Sequence, residues 1–318
     1  MTMSDVNTMR AISQDDLGGP EVLKEVQVER PTPGPNEVLV RVRAAGVNPT
    51  DWKHRATGGF LGRPPFVLGW DVSGEVTETG IGVAAFKPGD EVFGMLPYPV
   101  GHGSHAEYVT VRARALVPKP ASVDHAQAGA LPLVSLTAWQ ALTEHAGLQP
   151  GQRVLVHAAA GGVGHVAVQI AKALGAYVIG TASAGKHDFL REIGVDEAID
   201  YRSTDFTEAV RDVDVVLDTL GGETSVRSLA VLRPGGVVVS ILPVGSEDFH
   251  EEAERLGVRA VRMLVDADRS GMEAVADLVE QGKLRATIAG TFPLADAAKA
   301  HELGDTGRTT GKLVLLVD

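Results

Sequence analysis

Between Arg153 and Ala176 the chain reads RVLVHAAAGGVGHVAVQIAKALGA. A short apolar run, Val154 to His157, leads into the small-residue turn Ala159-Ala160-Gly161-Gly162-Val163-Gly164. After it Val163, Val166, Ala167, Ile170 and Leu174 keep helical spacing up to Gly175, a natural C-terminal cap. A turn without side chains lets backbone N–H groups and a helix N-terminus approach a pyrophosphate, whose negative charge the helix dipole favours. Strand before and helix after are the context that a dinucleotide site requires. One departure stands out, since alanine occupies the place of the fingerprint's first glycine.

The choice of dinucleotide is made at the end of the next strand. An NAD site carries Asp or Glu there, about 20 residues on, to bind the ribose diol. This chain has GTASAGKHDF instead, with Ser183 and Lys186 where a 2′-phosphate would sit, and Asp188 and Glu192 displaced into the following helix. The spacing favours NADP, although Lys186 reads equally as a solvated lysine at a helix start.

The elements that position this turn follow from pattern. RVLVHA, YVIGTA, EAIDY, VDVVLDTL, GVVVSIL and VRAVRMLV are six apolar runs with helical segments between them, which reads as a doubly wound parallel sheet. The first third differs. EVLVRVRAAGV puts Val38, Val40 and Val42 on one face and Leu39, Arg41 and Arg43 on the other, and short strands broken by Pro and Gly argue for an antiparallel β domain or small barrel. The recurrent PGPNEVLV, KPGDEVFG and QPGQRVLV are turn-then-strand phrases without a fixed period. A last helix around Gly271 to Gln281 precedes a strand–helix–strand tail too short to bury its own core, so the tail returns to the first domain.

Bulk properties remove several function classes. At 318 residues the chain has room for two domains, and 29 Lys and Arg against 41 Asp and Glu give a net charge of -12, unfavourable for nucleic acid or anionic membrane. No cysteine means no disulfide, thiolate nucleophile or cysteine-held zinc. Neither a secretory start nor an apolar run of membrane-spanning length is present, so the expectation is a cytoplasmic protein. His102 and His105 are three apart in a Gly-rich stretch and read as loop residues, not a metal pair. Arg308 and Lys312 are placed to reach the cofactor or to stand as surface cations, the second being the expectation, and no tyrosine starts a Tyr-x-x-x-Lys pattern.

The segment GQRVLVHAAAGGVGHVAVQIAK resembles the signature of the quinone oxidoreductase and zeta-crystallin branch of the medium-chain dehydrogenase/reductase superfamily, in which that first position carries alanine. AAGVNPTDWKHRATG, PFVLGWDVSGEV, KPGDEVFG, GSHAEYV, ALPLVSLTAW, FLREIGVDEAIDY and TTGKLVLLV extend the resemblance over nearly the whole chain, toward enone and alkenal reductases of the branch. The resemblance implies an α/β protein: a GroES-like β-barrel domain of residues 1–132 and 284–318 around a Rossmann NADP-binding domain of residues 133–283. It implies a homodimer joined through the edge strand VRAVRMLV. Zinc-dependent relatives use a cysteine and a Gly-His-Glu segment where this chain has Asn48 and Gly69 to Asp71, so metal is expected at neither zinc site.

By family position, Asn48 and Lys53 border the nicotinamide and the substrate carbonyl, Lys53 as a hydrogen-bond donor to the developing enolate oxygen, with Thr137 near the nicotinamide ring. Ala160, Gly161, Gly162, Val163 and Gly164 are assigned to the pyrophosphate, Ser183, Lys186 and Tyr201 to the adenosine phosphate, and Leu242 to the nicotinamide half. The bland alternatives are a turn-capping Asn48, a surface Lys53, a helix-start hydroxyl at Thr137 and a half-buried aromatic at Tyr201. Asp51 is expected to order its loop and Trp52 to pack; Phe60 and Tyr98 either line the pocket or pack. The implied activity is NADPH-dependent, zinc-independent hydride transfer to a small electrophile, a quinone or the C=C bond of an α,β-unsaturated carbonyl. Two rivals are an enoyl thioester reductase and a non-catalytic, crystallin-like NADPH-binding protein.

Overall fold

The computed structural model describes residues 7–244 and 249–318. The described chain divides into two compact units, residues 7–133, 266–280 and 286–318 in one and 134–265 with 281–285 in the other, counted over the described residues.

The first unit opens with β1 (Thr8–Gln14), β2 (Lys24–Glu29), β3 (Glu37–Val47), β4 (Phe66–Val67), β5 (Asp71–Thr79), β6 (Glu91–Met95), β7 (Tyr108–Arg112) and β8 (Leu116–Pro118). The second carries β9 (Arg153–Val156), β10 (Tyr177–Ala182), β11 (Glu197–Asp200), β12 (Val213–Asp218), β13 (Leu232–Ser240) and β14 (Arg259–Arg262). The chain then returns to the first with β15 (Ile288–Pro293) and β16 (Lys312–Leu316).

In the first unit β15-β16-β3-β5-β6-β8 form one sheet path, with β7 also on β3, and β2-β1-β4 form a small antiparallel sheet. Val38, Val40 and Val42 are fully buried on one face of β3 while Arg41 and Arg43 stay partly exposed on the other, as period-two alternation requires. Leu39 breaks the alternation: it is buried too, because β3 pairs with both β5 and β7 and its ladder to β5 is irregular between Leu39 and Val40. β16 runs antiparallel to β3, Leu313 opposite Val47, which brings Lys312 to the end of β3.

In the second unit the order β11-β10-β9-β12-β13-β14 is all parallel, the 3-2-1-4-5-6 arrangement of a doubly wound dinucleotide fold. Both faces are covered, and accordingly Val154, Leu155 and Val156 and the run Val237 to Val239 are buried without alternation. Its core gathers Leu155, Ile179, Val216, Val238 and Phe249.

The helix Arg269–Glu280 groups with the first unit, whereas the sequence carries the second domain through residue 283. The contacts give the reason: Ala121 N–H donates to Glu280 Oε1 at 2.8 Å and the Arg269 guanidinium stands 5.8 Å from the Phe86 ring centre.

Candidate active site

The glycine turn follows β9, the central strand of the parallel sheet, and the helix Gly162–Ala173 begins at once. Its N-cap is Gly161, in extended conformation and without a side-chain cap, so no hydroxyl or carboxylate of the cap residue competes for the first N–H groups. At Gly164 a Cβ would lie 2.3 Å from the Ala158 carbonyl oxygen and 2.7 Å from Ala159 Cα, so only glycine lets the helix close onto the turn. Ala158 holds φ +46°, a left-handed conformation for a residue with a Cβ, and Thr181 braces it by accepting its N–H at 3.1 Å.

The structure explains the alanine at the fingerprint's first position. A Cβ on Gly180, in the neighbouring β10, would come within 2.9 Å of Ala159 Cβ. The missing side chain has moved one strand over, from the turn to β10. The residues present thus fit a dinucleotide pyrophosphate, with Ala160, Gly161, Gly162, Val163 and Gly164 around its place.

Ser183 and Lys186 bracket a single helical turn at the carboxyl end of β10, closed by Lys186 N–H to the Ser183 carbonyl at 2.9 Å. Tyr201, more than half exposed, follows β11, and its N–H donates to the Ala182 carbonyl at 3.3 Å. Arg202 stands beside it, 5.8 Å from the ring centre. Partial burial pulls the Lys186 ammonium below the usual lysine range, with Tyr201 opposing and Arg202 reinforcing that shift. Ser183, Lys186 and Tyr201 are therefore brought together, and Arg202 joins a group that sequence reasoning drew without it; the basic residue after Tyr201 was the available signal.

Leu242 follows β13 and is half-buried. Its carbonyl oxygen lies 3.1 Å from Ser240 Oγ, and a Cβ on Gly221 would meet Leu242 Cβ at 2.9 Å, so the loops after β12 and β13 lie against each other. Asp218 ties them: its carboxylate accepts from Leu220 N–H at 2.9 Å, Gly221 N–H at 3.1 Å, Ser240 Oγ at 3.0 Å and Ser225 Oγ. Thr137 lies in the helix Pro132–Trp139, 4% exposed, five residues past its first turn's start and so not at the helix-start position. The same helix continues as a π-helical turn, Gln140–His145.

In the first unit Asn48 precedes the helix Pro49–Thr57 and is fully buried. Its amide nitrogen donates to Asp71 Oδ2 at 2.8 Å and its oxygen accepts from the Lys312 ammonium, which also donates to the Val47 carbonyl at 3.1 Å and stands 3.6 Å from Asp71. Asp71 accepts the Leu133 N–H at 2.6 Å. Lys312 is thus no surface cation: at 2% exposure it is a buried counter-charge, because β16 pairs with β3 and delivers it beneath Asn48. Burial lowers its pKa, while Asp71 and Asp51 hold it up. Arg308, by contrast, is exposed.

Asp51 orders the loop by accepting Asn48 N–H at 2.7 Å and Gly69 N–H at 3.0 Å. Burial pushes its carboxyl up to about 7, with Asp71 adding to the rise and the two N–H bonds opposing it. Lys53 lies one turn along the helix and is exposed. His102 is loop-bound through Nδ1 to the Val67 carbonyl at 2.6 Å, and His105 is buried and held down to about 4 by desolvation. Among the described residues no group of three or more His, Asp and Glu is arranged to hold a metal ion. At Asn48 and Asp71 the donors are already engaged with Lys312 and one another, an arrangement that does not fit zinc.

An uncapped glycine turn on the central strand of a parallel sheet, joined to a GroES-like first domain, defines a nicotinamide-dinucleotide oxidoreductase of the two-domain type. Residues 34–121 match the family described as alcohol dehydrogenase GroES-like domain, and residues 193–315 the one described as zinc-binding dehydrogenase. The chain is 36% identical to a 2-haloacrylate reductase of a Burkholderia species over 94% of this chain and 96% of that protein. Among solved structures, the quinone oxidoreductase of Coxiella burnetii superposes with a TM-score of 0.93 at 38% identity, covering 98% of this chain and 100% of the other. The Escherichia coli quinone oxidoreductase in complex with NADPH gives 0.88 at 30% identity, covering 96% and 99%. The chain belongs to the quinone oxidoreductase branch of the medium-chain dehydrogenase/reductase superfamily.

Proposed function

We propose that the protein is an NADPH-dependent, zinc-independent reductase whose acceptor is a quinone or the C=C bond of an α,β-unsaturated carbonyl. The observation that carries the cofactor choice is the end of β10, where Ser183 stands in place of a ribose-binding carboxylate and Lys186, Tyr201 and Arg202 gather beside it. When bound, the reduced nicotinamide supplies hydride. The turn Ala160 to Gly164 holds the pyrophosphate by backbone N–H groups, and Thr137 and Leu242 border the nicotinamide half. The Asp71–Asn48–Lys312 network keeps the Asn48 amide in one orientation. Lys53 donates to the oxygen on which charge develops, and an acceptor that is already electrophilic suits a site where Asn48 and Asp71 are engaged with Lys312. A relative named as a 2-haloacrylate reductase and others named as quinone oxidoreductases support this acceptor class.

The test is NADPH and NADH oxidation by the purified protein with an ortho-quinone, a para-quinone, but-3-en-2-one and an enoyl thioester, repeated with Lys186→Ala. Consumption of NADPH with a quinone or enone, and about a tenfold higher KM for NADPH alone in the variant, is the expected result. Preference for NADH, or turnover of the thioester only, would replace the cofactor or acceptor assignment. NADPH binding without turnover of any acceptor would leave the crystallin-like reading.

A further inference from the structure

Beside the helix that carries Lys53 lies a polar chain that the reductase reading leaves unused. Tyr98 Oη stands 3.0 Å from Thr50 Oγ1, and Thr50 Oγ1 stands 3.1 Å from Nδ1 of His54, which is also 2.7 Å from the Thr50 carbonyl oxygen. A carbonyl only accepts, so the short contact requires a proton on His54 Nδ1. His54 Nε2 is buried without a partner, which a bare lone pair tolerates better than an N–H would, and this favours the same tautomer. Nδ1–H therefore serves the carbonyl and leans on Oγ1, which leaves the Thr50 hydroxyl its own proton and one more lone pair for the contact with Tyr98, in which either oxygen can donate. With Thr50 as the donor, Tyr98 Oη accepts and its phenolic proton is left for a group outside this polar chain.

The surroundings suit a donor to a flat acceptor. Tyr98 is only partly buried, and its ring meets Phe60 edge-on at 6.0 Å; Phe60 is 67% exposed. Trp70 and His54 back the same ring at 5.3 and 6.2 Å and fix its position. Thr50, which meets the phenol, and the exposed Lys53 are three residues apart on the same helix. Burial raises the phenol above the usual tyrosine range, with the Thr50 hydrogen bond opposing and Asp51 adding to the rise.

We propose that Tyr98 is a catalytic residue whose phenol hydrogen-bonds the carbonyl oxygen of the acceptor and gives it a proton during reduction, with Thr50 and His54 setting the direction of that proton. The inference rests on the reductase reading for its substrate class. In the step, an enone gains hydride at its β-carbon, leaving the nicotinamide oxidised. The C=C π electrons shift toward the carbonyl, a new O–H bond forms as the Tyr98 O–H bond breaks, and the phenolate regains its proton from solvent water. The enol product then tautomerises to the saturated ketone.

The experiment uses the full chain, Tyr98→Phe and Thr50→Val. With but-3-en-2-one, Tyr98→Phe should lower kcat/KM about a hundredfold, with the NADPH KM within twofold of wild type, and Thr50→Val should fall between the two. A second readout needs no turnover. 4-Nitrophenolate mimics the enolate oxygen, and its absorbance titration against the NADP+-saturated protein should give a Kd at least tenfold weaker in Tyr98→Phe. Equal kcat/KM, equal dye affinity, or no dye binding by the wild type would overturn the role of Tyr98. If the wild type reduces no acceptor, the reductase reading fails by itself, and the dye titration still decides whether Tyr98 is a donor.

Discussion

Lys312 is the residue whose placement most changes the chemistry of the first unit. A buried ammonium between Asp71 and Asn48 is there to be paired, and removing it strands a buried carboxylate. Lys312→Met should therefore lower the unfolding free energy by about 3–5 kcal/mol in urea titrations; a loss below about 1 kcal/mol would mean that Asp71 finds water instead. Exposed Lys53 gives the contrasting case: Lys53→Ala should leave stability unchanged and reduce kcat on an enone about tenfold or more, with the NADPH KM little altered. Unchanged kcat would remove it from the site. The buried titrating groups set the pH dependence. His105 and His157 are held down to about 4 by burial, below the 6.5 of a free histidine, so the unfolded chain takes up protons that the fold refuses. Their stabilisation is complete above 6.5 and is lost as pH falls through 4. Asp51 acts in the opposite sense, since a carboxyl raised from 3.8 to about 7 contributes below 3.8 and loses that contribution as pH rises through 7. These two histidines, with His301 held down by burial as well, outweigh one aspartate, so stability should climb from pH 4 toward 6.5, and Asp51→Asn should steepen the climb. Urea midpoints across that range check both statements, and a flat profile would contradict them.

At the scale of elements, the turn after β9 depends on its neighbour strand. Ala159 fits because Gly180 leaves space on β10, and Gly164 fits because nothing projects from it toward Ala158. Gly180→Ala should cost about 1–3 kcal/mol through overpacking and weaken dinucleotide binding, while Ala159→Gly with Gly180→Ala should recover most of the loss. Thermal denaturation and NADPH fluorescence titration of the two single variants and the double variant measure that coupling; simple additivity would show that the two sites are independent. The turn, its helix and the six runs were legible in the sequence because each is local, set by strand period, helix period and glycine. Gly180 was not, since its purpose lies in a residue 21 positions away in another element, read from the numbers of Ala159 and Gly180.

For the whole molecule, β14 is one end of the parallel sheet, and among the described residues no strand pairs with the outer side of Arg259–Arg262. An edge of this kind suits pairing with a second copy, and the protein should run in light scattering at twice its 33.3 kDa, with Ala260→Pro returning it to the monomer. A monomeric wild type would remove the dimer from the description. Among the described residues no helix is long and apolar enough to cross a membrane. The sequence by itself determined the two-part α/β organisation, the parallel sheet and the dinucleotide turn, because these follow from short-range periodicity and from residues adjacent in the chain. Only the tertiary structure decided that Lys312 is buried against Asn48, that Asp218 ties two loops, that Arg202 joins Lys186, and that Tyr98 meets Thr50. Each depends on partners brought together by strand pairing and packing, over separations as large as the 264 residues between Asn48 and Lys312, where no local pattern carries information.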